Sequence, residues 1–173
     1  MMLTLTLSLV SCGQEDGIPS GMKYACDPDI VDYSLFVPES WIVDQTTGIS
    51  QAHVSAKDLS SVQVAQWNLT ENISNYEEWW EDYKSSIEKV GVVEILGDGE
   101  DVTFGGITDA KKYEYKLTVG KGTDYERTYK CMVIGTITRG SVYVFLYNSI
   151  EKGDLYSSNL ESVNKIIENF RFN

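Results

Sequence analysis

Thr136-Ile137-Thr138-Arg139-Gly140-Ser141-Val142-Tyr143 decides the fold class of this chain, because it reads as a β-hairpin. Its arms are rich in β-branched and aromatic residues, which suit a pleated and half-buried surface, and Arg139-Gly140 breaks the run between them. Working outward, the arms lengthen into strands over residues 127–138 and 141–149. Residues 92–96, 102–104 and 110–119 read as further strands, punctuated by Gly105-Gly106 and by Gly120 with Gly122. Nearer the start, Tyr33-Ser34-Leu35-Phe36-Val37 is a strand stopped by Pro38. Pro38-Glu39-Ser40 makes a turn into Trp41-Ile42-Val43, and residues 50–56 alternate small apolar with polar side chains. In the next strand Val62, Val64 and Gln66 share one face, and Gln63, Ala65 and Trp67 the other.

Two helices interrupt these strands. Ser74 followed by Glu77 has the spacing of a capping box, in which each side chain satisfies an orphan backbone N–H. Tyr76, Trp79, Trp80, Tyr83, Ile87 and Val90 follow at helical spacing as one apolar stripe, and Gly91 is placed to end it. Glu77, Glu78, Glu81, Asp82 and Lys84 fall on the face away from the tryptophans. The adjacent tryptophans read as the helix's seat on a sheet, with a ligand groove as the alternative. At the end of the chain Ser158 and Glu161 repeat the capping spacing, and Leu160, Val163, Ile166, Ile167 and Phe170 form the second stripe. Strands, helix, strands, helix is an α+β order, with helices covering an antiparallel sheet.

At the other end, Met2, Leu3, Leu5, Leu7, Leu9 and Val10 carry no charge, and Leu9-Val10-Ser11-Cys12 closes the run. An apolar run ending in small residues before a cysteine is how a bacterial lipoprotein signal ends. Residues 1–11 are therefore expected to be a signal peptide and Cys12 the lipidated residue. Residues 12–31 read as a flexible tether, broken by Gly13, Gly17, Pro19, Gly21 and Pro28, with one domain over residues 32–173. The run is too short for a membrane-spanning helix, which takes roughly 20 residues. No Lys or Arg precedes it, and its Leu/Thr alternation leaves an amphipathic strand as the alternative.

Composition narrows the partners. Acidic side chains number 26 against 14 basic ones, a formal charge of −12 that repels phosphate backbones and argues against nucleic acid. The same field repels anionic lipid heads, so the domain should hang from its anchor rather than lie on the membrane. With Cys12 lipidated, Cys26 and Cys131 could form a disulfide, which persists outside the cytoplasm, or remain two free thiols with Cys131 an ordinary core residue.

The layout resembles that of PsbP-like domains, a family that includes many bacterial lipoproteins. The resemblance rests on Tyr33-Ser-Leu-Phe-Val-Pro-Glu-Ser-Trp41, on the Trp79/Trp80/Tyr83 helix, and on Gly140-Ser-Val-Tyr-Val-Phe-Leu-Tyr147. The closing helix, with its Ile-Ile-Glu-Asn-Phe-Arg-Phe end, completes it. It covers residues 32–173 and implies an α/β/α sandwich, one antiparallel sheet between helices. Its motifs are aromatic and structural, so they specify a fold rather than a job. Histidines serve in metal sites proposed for some relatives, and this chain has only His53, so the resemblance implies no metal or cofactor residue here.

The chemistry-bearing residues are sparse. His53 stands alone between Ala52 and Val54, no serine sits in a nucleophile elbow, and no phosphate-binding glycine loop is present. Asp98, Glu100 and Asp101, or Asp27, Asp29 and Asp32, could offer oxygens to calcium, but their spacing matches no EF-hand loop and reads as solvated loop. The expected function is that of a non-catalytic, lipid-anchored, extracytoplasmic binding or accessory module of the cell envelope. Its partner would be an envelope protein or a small ligand. The alternative is a cation-assisted hydrolase using the acidic loops, which a polar pocket lined by Asp98, Glu100 or His53 would favour.

Overall fold

A computed structural model describes residues 17–44, 50–69 and 73–173. In chain order the first strands are β1 (Met22–Tyr24), β2 (Tyr33–Ser34), β3 (Phe36–Pro38), β4 (Ile42–Asp44), β5 (Ser50–His53) and β6 (Ser61–Asn68). Helix α1 (Tyr76–Glu88) follows, then β7 (Val92–Ile95), β8 (Glu100–Phe104), β9 (Ile107–Val119), β10 (Arg127–Thr138) and β11 (Ser141–Ile150). The chain closes with α2 (Leu155–Asn169) and β12 (Arg171–Phe172).

The hairpin that opened the sequence reading is the centre of an eight-stranded sheet. β10 and β11 pair from Thr138 opposite Ser141 to Tyr129 opposite Ile150. Arg139 and Gly140 both adopt positive φ, 53° and 75°, as a two-residue turn of the mirror-image type requires. The sheet runs β4–β5–β6–β11–β10–β9, and β9 is long enough to carry two neighbours on its outer side. β7 pairs its C-terminal half (Val92 opposite Thr118) and β8 its N-terminal half (Glu100 opposite Lys112), every pairing antiparallel.

Period-two alternation then sorts side chains to two sides. Tyr143, Phe145 and Tyr147 of β11, with Met132 and Ile134 of β10, join a core that holds Leu35, Val37, Val163, Ile166 and Phe170. Val142 and Val144, with Cys131 and Val133, join a second core with Tyr76, Trp79 and Trp80 of α1. Burying an aliphatic or aromatic side chain of this size stabilises by about 1.5–3 kcal/mol, so both sides contribute to holding the sheet.

Several local expectations need correction. The run 33–37 is not one strand: it divides at Leu35, β2 pairing β12 (Tyr33 opposite Phe172) and β3 pairing β1 (Val37 opposite Lys23). Pro38 is the last residue of β3, so the second piece does stop at the proline, as expected. The stretch assigned to a tether is partly built into the fold, because β1 lies within it and Ala25 and Cys26 are buried in the core. Glycines and prolines flanking so short a strand hid it, since a three-residue pairing leaves no period to read.

Helix α1 is capped one residue later than expected. The Asn75 side chain accepts from the Glu78 N–H at 2.9 Å, and the Glu78 carboxylate accepts from the Ser74 N–H and hydroxyl at 2.6 and 2.9 Å. Val90 falls off the apolar stripe and is 63% exposed. Gly91 follows the helix not through a left-handed turn but through proximity, since a Cβ there would stand 2.3 Å from the Thr118 carbonyl oxygen of β9. Helix α2 starts at Leu155, earlier than the Ser158 reading, and Ser158 donates its hydroxyl back to the Asp154 carbonyl at 2.7 Å.

Candidate functional site

Where α1 leans over the sheet, rings accumulate. Trp80 stacks on Tyr113 of β9 at 4.2 Å and 4°. Trp79 lies between Tyr76 at 5.1 Å and Tyr83 at 4.9 Å. Tyr83 and Tyr115 share a hydroxyl hydrogen bond of 2.8 Å, and burial raises both phenols above their ordinary range. Trp79 and Trp80 are 5% and 4% exposed, which fits the reading of a helix seat. Gly135 of β10 makes the seating possible, because a Cβ there would fall 2.0 Å from Cε2 of Tyr76.

At one end of this array the packing opens into a pocket of about 410 Å³. Its helix wall is Trp79, Asp82, Tyr83 and Ser86, spaced i, i+3, i+4 and i+7 along one flank of α1. Its sheet wall is Trp67 and Asn68, the last residues of β6, with Val142 opposite Trp67 in register. β5 pairs β6 only as far as Val64, so among the described residues no strand covers the outer side of Trp67. Trp67 is 44% exposed, its ring 5.8 Å from that of Trp79 and tilted by 40°. The helical reading put Asp82 on the face away from the tryptophans; the pocket corrects this, since Asp82 and Trp79 line the same wall.

The acidic loop is a different kind of place. Asp98, Glu100, Lys112 and Glu114 surround a depression of about 100 Å³. Glu100 is paired to Lys112 at 2.7 Å, and the neighbouring Asp101 to Lys111 at 2.5 Å. His53 is not there: it sits on β5, opposite Ile42 and Ser61, several strands away across the sheet, with a buried Nδ1 that has no hydrogen-bond partner among the described residues. Asp27 caps a turn by accepting from the Asp29 N–H at 3.0 Å. Asp32 accepts from the Tyr143 phenol and faces Arg139 at 3.7 Å. Burial and that bond to Asp32 push the Tyr143 phenol up to about 12. Among the described residues no group of three His, Cys, Asp or Glu is placed to hold a metal.

Of the cysteines, Cys12 lies outside the described residues. Cys26 and Cys131 are free and buried. They belong to the two different cores, Cys26 with α2's side and Cys131 with α1's, so the sheet stands between them and the disulfide alternative is not formed. Asn68, the first residue of a glycosylation sequon in the sequence, lines the aromatic pocket. Asn72, which begins the other, lies outside the described residues.

Comparison with known proteins finds no matching family model and no matching curated protein sequence. Solved structures do match. LpqN of Mycobacterium tuberculosis, involved in cell envelope biogenesis, superposes with a TM-score of 0.54 at 17% identity, covering 80% of this chain and 82% of that one. Cyanobacterial PsbP from Synechocystis sp. PCC 6803 gives 0.57 at 16%, covering 95% and 99%. The Ran-binding protein Mog1p of Saccharomyces cerevisiae gives 0.58 at 12%, covering 82% and 90%. At such identities the likeness is one of fold, and the fold is that of a PsbP-like domain.

Proposed function

We propose that this chain is a lipid-anchored extracytoplasmic lipoprotein whose PsbP-like domain, layered α/β/α, acts by binding, as a non-catalytic accessory module of the cell envelope. The observation that supports this best is the contrast between its two candidate sites. The acidic loop, on which hydrolysis would depend, encloses only about 100 Å³, its Glu100 and Asp101 are tied to lysines, and His53 is elsewhere. The larger pocket is walled by rings and, among the described residues, carries one carboxylate without a neighbouring base or nucleophile pair, which suits recognition better than bond cleavage. LpqN, which has the same fold, is involved in cell envelope biogenesis, and Mog1p binds Ran, so the fold serves binding roles elsewhere.

The anchor reading rests on Leu9-Val10-Ser11-Cys12 and on the charge of −12, which keeps the domain off an anionic surface. Acyl chains give about 0.8 kcal/mol per buried CH₂, and a single chain holds only marginally, so durable attachment needs more than one. The test is the intact mass of protein extracted from the membrane fraction. A mature chain beginning at Cys12 with added acyl mass is expected, and Cys12→Ser should move the protein to the soluble fraction. A membrane-free protein that retains residues 1–11 would overturn the anchor.

A further inference from the structure

The pocket beside α1 carries a charge pattern as well as a shape. Among the described residues Asp82 is the only charged side chain in its lining. The nearby cation on the helix, Lys84, is engaged elsewhere: it pairs with Glu81 at 2.6 Å and lies over Trp80 at 5.8 Å. The rings of Trp67 and Trp79 meet in a tilted contact, 5.8 Å and 40°, that forms one corner of the pocket, and Trp67 keeps part of its surface open. Trp79 is held by Tyr76 and Tyr83, so that side of the corner is fixed before any ligand arrives.

We propose that this pocket binds a small organic cation, an ammonium group carried on an apolar body. The proposal deepens the binding reading above and rests on it. The exposed ring of Trp67 presents negative charge to an approaching cation, and Asp82 adds a full negative charge across the same pocket. A neutral ligand would gain nothing from Asp82, which keeps its water at an exposed position. An anion would meet Asp82 and a protein of net charge −12. Asn68 and Ser86 supply polar atoms at the margin for the ammonium's N–H groups or its attached oxygens. A volume of about 410 Å³ takes a molecule with one ring or a short chain, not a peptide segment.

The probes are benzylammonium, benzyl alcohol and benzoate, which share a ring and differ in charge. They are titrated into the full chain, labelled with ¹⁵N, while the indole N–H signals of its four tryptophans are followed. Benzylammonium should shift the Trp67 and Trp79 signals saturably and leave that of Trp41, buried in the other core, in place. Benzyl alcohol should bind at least about fivefold more weakly, and benzoate more weakly still. Asp82→Asn, at an exposed position, should weaken benzylammonium by about threefold or more and leave benzyl alcohol unchanged. Trp67→Leu keeps an apolar wall and should lessen the preference for the cation over the alcohol to the share that Asp82 supplies, with the Trp41 signal reporting that the fold is intact. Equal binding of amine and alcohol, indifference to Asp82→Asn, or no shift with the amine would each overturn the proposal. If that happens while the Cys12 chain still fractionates with membrane, the ligand class falls and the accessory role does not.

Discussion

Gly135 shows how a single missing side chain sets the geometry of one side of the sheet. The Tyr76 ring occupies the space a Cβ would need, and it has little room to retreat, with Trp79 at 5.1 Å and Tyr113 at 6.2 Å. Gly135→Ala should destabilise by about 1–3 kcal/mol through overpacking. Urea unfolding checks this: the midpoint should fall while the slope stays that of the parent. A strand-interior glycine is a legible sign of close approach, but the identity of the approaching ring is not. Tyr76 was readable as a member of the apolar stripe, whereas its partner sits on a strand some sixty residues later (Tyr76 to Gly135) and no local pattern links them. Arg139 and Gly140, by contrast, carried their turn in two adjacent letters.

At the scale of elements, the ends of helices were the least legible feature. Ser74 to Glu77 and Asn75 to Glu78 offer the same capping spacing one residue apart, and the structure uses the second. Which frame is chosen depends on how the stripe docks, since shifting the start rotates every ring on α1. Glu78 thereby becomes a measurable contributor. Hydrogen bonds from the Ser74 backbone N–H and hydroxyl hold its carboxyl below the usual value of 4.5. A folded-state value below the unfolded one means the stabilisation is fully present above about 4.5 and is lost as pH falls through the folded value. Glu78→Gln should therefore melt below the parent at neutral pH, with the gap closing on acidification. Thermal midpoints of both proteins across that range measure it, and a gap that widened at low pH would contradict the assignment. The long strands were far more legible: β10 matches its expected bounds because alternation over twelve residues leaves little choice of register or face.

For the whole molecule, the two buried thiols act as reporters on the two cores. Burial raises the Cys26 thiol and pushes that of Cys131 up to about 12, so neither offers a thiolate to solvent near neutral pH. Both should resist alkylation in the native protein and react at one common denaturant midpoint if the cores open together, which mass-resolved labelling can follow. Two midpoints would show that one layer peels from the sheet before the other. The pocket belongs to this scale too. Its residues were each visible in the sequence, Trp67 on a strand face and Trp79 and Asp82 on a helix, but the site exists only where one flank of α1 comes beside the end of β6. The same holds for β2 and β12, two-residue strands too short to carry a period.

That last pairing governs when the molecule can assemble. Tyr33 finds its strand partner in Phe172, and Phe170 stacks on Phe104 at 4.2 Å, so the amino-terminal portion lacks its mate until synthesis has passed residue 172. A chain cut short of that point would leave the Tyr33 edge without its closing strand while the eight-stranded sheet kept every one of its own.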